Sequence, residues 1–99
     1  MAKCVCGAWE HGRDGDWIKS CRHGKRRFHA GVYPYTGGYW QLDCEGTDVP
    51  TFRREFYLAG LVMVNSIADL RKMGDKWLAA RCSAAESGLG RIRRRRVMR

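Results

Sequence analysis

Tyr39-Trp40-Gln41-Leu42-Asp43-Cys44 is the stretch that decides the fold, because its side chains alternate strictly in character. Trp40, Leu42 and Cys44 fall on one side and Tyr39, Gln41 and Asp43 on the other, the period-two signature of a half-buried strand. Upstream, residues 3–11, 16–22 and 26–33 read as further strands. They are punctuated by Arg13-Asp14-Gly15, His23-Gly24-Lys25 and Pro34-Tyr35-Thr36-Gly37-Gly38. Connections this short join antiparallel neighbours.

Downstream of Glu45-Gly46-Thr47-Asp48-Val49-Pro50 the period changes. Thr51 is placed to cap a helix, and Phe52, Phe56, Ala59, Met63, Ile67 and Leu70 recur at steps of three and four. Gly74-Asp75 reads as a helix stop followed by a new N-cap, with Trp77, Leu78 and Cys82 on a second, shorter helix. The expectation is an α+β fold: a four-stranded antiparallel sheet from the N-terminal half, packed by one long and one short C-terminal helix. Residues 1–90 form one small domain and residues 91–99 a disordered arginine-rich tail.

That tail, Arg91-Ile92-Arg93-Arg94-Arg95-Arg96-Val97-Met98-Arg99, supplies +6 of the formal net charge of +9. The other 90 residues hold 13 basic against 10 acidic groups, so the body is close to balanced. Such a block repels itself, stays solvated and attracts polyanions, which points to nucleic acid, a nucleoprotein complex or an acidic protein as partner. Neutralising about six phosphates would give a log–log salt slope of roughly −5 on duplex DNA.

Residues 17–40 interleave cations with aromatic rings. Trp17, Lys19, Arg22, Lys25, Arg26, Arg27, Tyr33, Tyr35 and Tyr39 are candidate nucleic-acid contacts, together with Arg91, Arg93, Arg94, Arg95 and Arg96. Aromatic rings stack on exposed bases while cations hold the backbone, the way sheet-based binders grip single strands. Only rings on the solvent face can do so, and a small sheet also needs aromatics for its own core. A different function class is a small protein-binding inhibitor or adaptor, for example an anti-defence, anti-CRISPR-like phage protein. Its contact surface, or that of a homodimer, would be the broad apolar face marked by Tyr57, Leu61 and Val64.

Cys4-Val5-Cys6 and Cys21-Arg22-His23 are two ligand pairs with one spacer each, and Cys4, Cys6, Cys21 and His23 together would make a Cys3His zinc site. Whether the pairs meet depends on the hairpin register around Asp14-Gly15. Paired residue numbers summing to 29 or 27 put all four residues on one face; a sum of 28 separates them. A one-residue spacer on a regular strand spreads the sulfurs too far, so zinc also requires local bending. The alternative is that these cysteines, with Cys44 and Cys82, are small apolar residues.

Met1 to Gly7 lacks the apolar stretch of a signal peptide, and the longest apolar run, residues 56–64, is far short of the about 20 residues a membrane helix needs. The expectation is a cytoplasmic protein with no membrane partner. Five cysteines, an odd number, then argue against a disulfide framework. No nucleophile elbow, phosphate loop or metalloprotease motif is present, which points to a non-enzymatic protein.

Overall fold

The computed structural model describes residues 3–47, 49–57 and 66–87. Its strands are β1 (Val5–Cys6), β2 (Glu10–His11), β3 (Trp17–His23), β4 (Arg26–Pro34), β5 (Tyr39–Gly46) and β6 (Val49–Tyr57), followed by one helix, α1 (Ser66–Ser87). The sheet is antiparallel in the order β1-β3-β4-β5-β6, with β2 pairing the same edge of β3 as β1 does. The α+β expectation holds in outline, with more strands and, besides a 3-10 turn at Thr36–Gly38, a single described α-helix. No helix among the described residues is long and apolar enough to cross a membrane.

Alternation sets which face is buried. Cys21 of β3, Phe28, Ala30 and Val32 of β4, and Leu42 and Cys44 of β5 all point to one side, where they meet Leu70, Leu78, Cys82 and Ala85 of α1. Phe28, Ala30, Val32, Leu42, Cys44 and Leu70 are each 0% exposed. The buried positions on α1 recur at steps of three and four, so its apolar stripe lies along the sheet. Trp9, Trp40 and Trp77 pack around the rim of this core.

Two features of the helical half differ from expectation. Residues 52–57, read as the start of a long helix, belong to strand β6, which pairs with β5 from Tyr39↔Tyr57 to Gly46↔Val49. The four-residue step from Phe52 to Phe56 fits a strand's period of two as well as a helical turn, and pairing with β5 selects the strand. Ala59 and Met63 lie outside the described residues.

Gly74 is the other correction. The helix runs straight through it, and there is no second α-helix among the described residues. Gly74 is buried where α1 crosses β4: a Cβ there would sit 3.1 Å from the Ala30 Cβ and 3.1 Å from the Trp9 ring. Asp75, expected as a cap, instead accepts from Trp9 Nε1 at 3.1 Å and Lys19 Nζ at 2.9 Å. The Gly-Asp pair thus marks close approach and a cross-link to the sheet, not a chain break.

Gly74→Ala separates these readings. Helix propensity alone favours alanine by up to about 1 kcal/mol. Close packing against a sheet-anchored Cβ and a hydrogen-bonded indole makes the substitution destabilising, by about 1–3 kcal/mol. A urea unfolding curve with a lowered midpoint is expected; a raised midpoint would mean that the helix does not approach β4 this closely.

Candidate functional site

The N-terminal edge strand contains an irregularity that decides what meets the helix. Near the turn its register with β3 sums to 28 (Glu10↔Ile18, His11↔Trp17), whereas further out it sums to 27 (Val5↔Arg22, Cys6↔Cys21). One extra residue is therefore accommodated between Cys6 and Glu10, a β-bulge at Gly7-Ala8-Trp9. Gly7 N–H still reaches the Ser20 carbonyl at 3.0 Å. In a regular strand Cys4 and Cys6 would point away from Trp9 and His11. The bulge turns both pairs toward α1.

Four of the five cysteines meet there. Cys4 is disulfide-bonded to Cys82 of α1 and Cys6 to Cys21 of β3, with Cα separations of 5.6 and 4.0 Å. The expectation against disulfides is thus corrected: the bulged edge strand carries two cysteines to the one helix position where a third faces the sheet. The two bonds are not separate. Cys6 Sγ lies 3.9 Å from Cys82 Sγ, and the sulfurs of Cys4, Cys6 and Cys82 all lie within 4.8 Å of one another. Cys4 N–H also donates to Glu86 Oε2 at 2.7 Å, a second tie between β1 and α1.

The expected ligand set is altered in one member. Cys4 and Cys6 come together, but the third sulfur of the close group is that of Cys82; Cys21 joins only through its bond to Cys6, and His23 is not part of the group. Composition missed Cys82 because it lies 78 residues from Cys4. One signal was available: Cys82 falls four residues after Leu78 and three before Ala85, on the buried stripe of α1. Cys44 is the free cysteine, in the core beside Leu42. Burial first, and then the neighbouring Asp43 carboxylate, push its thiol up to about 12.

The candidate nucleic-acid residues divide between the two faces. Trp17 is stacked with His11 at 4.1 Å between centroids and lies under the Arg71 guanidinium at 4.3 Å. Two partners so close must occupy opposite faces of the indole, which leaves no face for a base. Lys19 is engaged by Asp75 on the helix side. Arg26 lies 5.6 Å from the Phe28 ring centroid, on the same side of the sheet as the helix.

On the face opposite α1, Arg22 and Arg27 are direct cross-strand neighbours. With Val5, Ser20 and His29 they line an open cavity of about 350 Å³. Both arginines are exposed, and neither has an ion-pair partner among the described residues. His29 is paired with Glu45 at 3.0 Å. Lys25 is exposed in the adjoining turn, where Gly24 takes a φ of +62°.

The aromatic candidates sit further along the same sheet. Tyr33 lies over Gly31, whose missing side chain makes room for the ring. Burial, then Asp43, Asp16 and Glu45, raise the Tyr33 phenol above its usual range. Tyr35 and Tyr39 are exposed, 53% and 38%, at the far end of the hairpin. Tyr35 follows Arg27 by eight residues, about 27 Å of strand. Tyr57 belongs to β6, while Leu61, Val64 and the arginines of residues 91–96 lie outside the described residues.

Comparison with protein-family models, curated proteins and solved structures finds no match to this chain.

Two outcomes follow from the sulfur chemistry. Replacing Cys4 and Cys82 together by serine removes a cross-link over 78 residues and costs about 4 kcal/mol, read as a lower urea midpoint. Because folding raises the Cys44 pKa, its contribution to stability is complete below about 9 and is lost as pH rises toward about 12. A wild-type profile that falls no more steeply across that interval than that of Cys44→Ala would contradict the assignment.

Proposed function

We propose that this protein is a non-enzymatic binder of single-stranded nucleic acid. Its backbone-gripping end is the open sheet face at the β3–β4 hairpin. The observation that carries this reading is the juxtaposition of Arg22 and Arg27, exposed, unpaired among the described residues and directly opposite each other across two strands. Like charges in that arrangement destabilise a sheet unless an anion sits between them. Two guanidinium groups over a shallow cavity offer planar, bidentate donors suited to phosphate.

In this reading Lys25 extends the cationic end, and Tyr35 and Tyr39 form a stacking platform about 27 Å away, at the other end of the same face. A nucleic-acid strand running along β4 would meet phosphate-binding groups first and stacking groups second. The arginines of residues 91–99 add attraction that is independent of base identity. The cysteine group is structural: held as disulfides or as a zinc thiolate, it fixes β1 beside Arg22 without touching the ligand.

The test is fluorescence anisotropy with a labelled single-stranded oligonucleotide across a salt series. Changing Arg22 and Arg27 together to glutamine removes two phosphate contacts. It should weaken binding about tenfold or more and flatten the log–log salt slope by about 1.4. Arg53→Gln, whose guanidinium is already held by Asp43 at 2.9 Å, should leave both quantities unchanged. Equal affinity of the double variant and the wild type, or no binding at low salt, would overturn the reading.

A further inference from the structure

We infer that the four sulfurs of Cys4, Cys6, Cys21 and Cys82 form a zinc site in the reduced chain, a tetrathiolate at the junction of β1, β3 and α1. The inference does not depend on what the open sheet face binds. Two disulfides that served only as independent staples would have no reason to share one locus. Here the Cys4–Cys82 and Cys6–Cys21 bonds converge, with sulfurs of different bonds 3.9 Å apart.

That spacing matches a tetrahedral metal centre. Zinc binds thiolate sulfur at about 2.3 Å, so the edge of a ZnS4 tetrahedron is about 3.8 Å. Cys6 and Cys82 already stand at this separation. Cys4 Sγ lies within 4.8 Å of both, and reduction releases Cys21 from Cys6 to supply the fourth ligand from β3. The ligands come from three directions: two from the bulged edge strand, one from the paired strand β3 and one from the helix above. Three approach directions are what a tetrahedral centre needs and a single flat strand cannot give.

The surroundings suit the charge of such a centre. Four thiolates around one zinc carry a net charge of −2. Arg81, next to Cys82 in sequence, keeps a cation on the same helical turn.

The conversion balances simply. Each disulfide reacts with one water-soluble phosphine and one water, giving two thiols and one phosphine oxide. The four thiols then bind one Zn²⁺ and release four protons. Cys44 takes no part, being buried on its own in the core between β4 and β6.

The experiment uses the full chain, reduced with phosphine without oxygen, loaded with zinc sulfate and freed of excess metal by gel filtration. One zinc per chain is expected, and X-ray absorption at the zinc edge should show four sulfur neighbours at about 2.3 Å. Cys44→Ser and His23→Ala should retain the metal. Cys82→Ser should lose affinity by more than about a hundredfold, beyond what the loss of an outer-shell partner costs. The absorption measurement needs only the wild-type chain, so it stands whether or not the Cys82 variant folds. No stoichiometric zinc, or three sulfurs with one nitrogen and metal lost in His23→Ala, would overturn the inference.

Discussion

The sulfur group at the β1–β3–α1 junction is the constraint on which the rest of the structure depends. The sheet alone is a set of hairpins whose pairing is local, and its N-terminal edge is the weakest part. β1 and β2 are two residues each, too short to hold their register by hydrogen bonds alone. Cys6–Cys21 fixes that register, and Cys4–Cys82 ties the same edge to a helix 78 residues away. Farther along α1, Asp75 gathers the Trp9 indole and the Lys19 ammonium, so the edge strand and its partner are held at a second point. Gly74, next to Asp75, sets how closely the helix can approach the sheet.

From that anchorage follows a division of labour between the two faces. The helix side absorbs the large apolar groups and part of the basic and aromatic band, including Lys19 through Asp75, Arg26 beside Phe28, and Trp17 under Arg71 of the helix. The opposite side keeps Arg22 and Arg27 at one end and Tyr35 and Tyr39 at the other. A band that is continuous in sequence becomes two separate clusters in space, because neighbours in a strand point in opposite directions. The mixed charges between the clusters are largely satisfied internally, by Arg53 with Asp43 and His29 with Glu45.

The strands were legible because their signals are local: Trp40, Leu42 and Cys44 alternate with polar residues, and glycines mark the turns. Three other features depend on contacts between distant segments. Phe52 and Phe56 satisfy a helix and a strand equally, and only pairing with β5 decides between them. Gly74 has the look of a helix terminator in isolation, yet Ala30 and Trp9 make it a packing position. The bulge at Gly7-Ala8-Trp9 is marked only by one glycine inside a strand pattern, and it reverses which residues of the edge strand face inward. Pairing of Cys6 with Cys21 was among the registers the sequence allowed, whereas the Cys82 partner required knowing that the helix stripe lies over that edge.

Which cysteines meet decides the position of the N-terminal edge. Tryptic digestion of the air-oxidised chain without reduction, followed by mass spectrometry, reads this in one step. The predicted product is a single disulfide-linked species of three peptides, Cys4–Arg13, Ser20–Arg22 and Cys82–Arg91, with the Cys44 peptide Phe28–Arg53 carrying a free thiol. A disulfide involving Cys44, or a Cys82 peptide that is released unlinked, would contradict it.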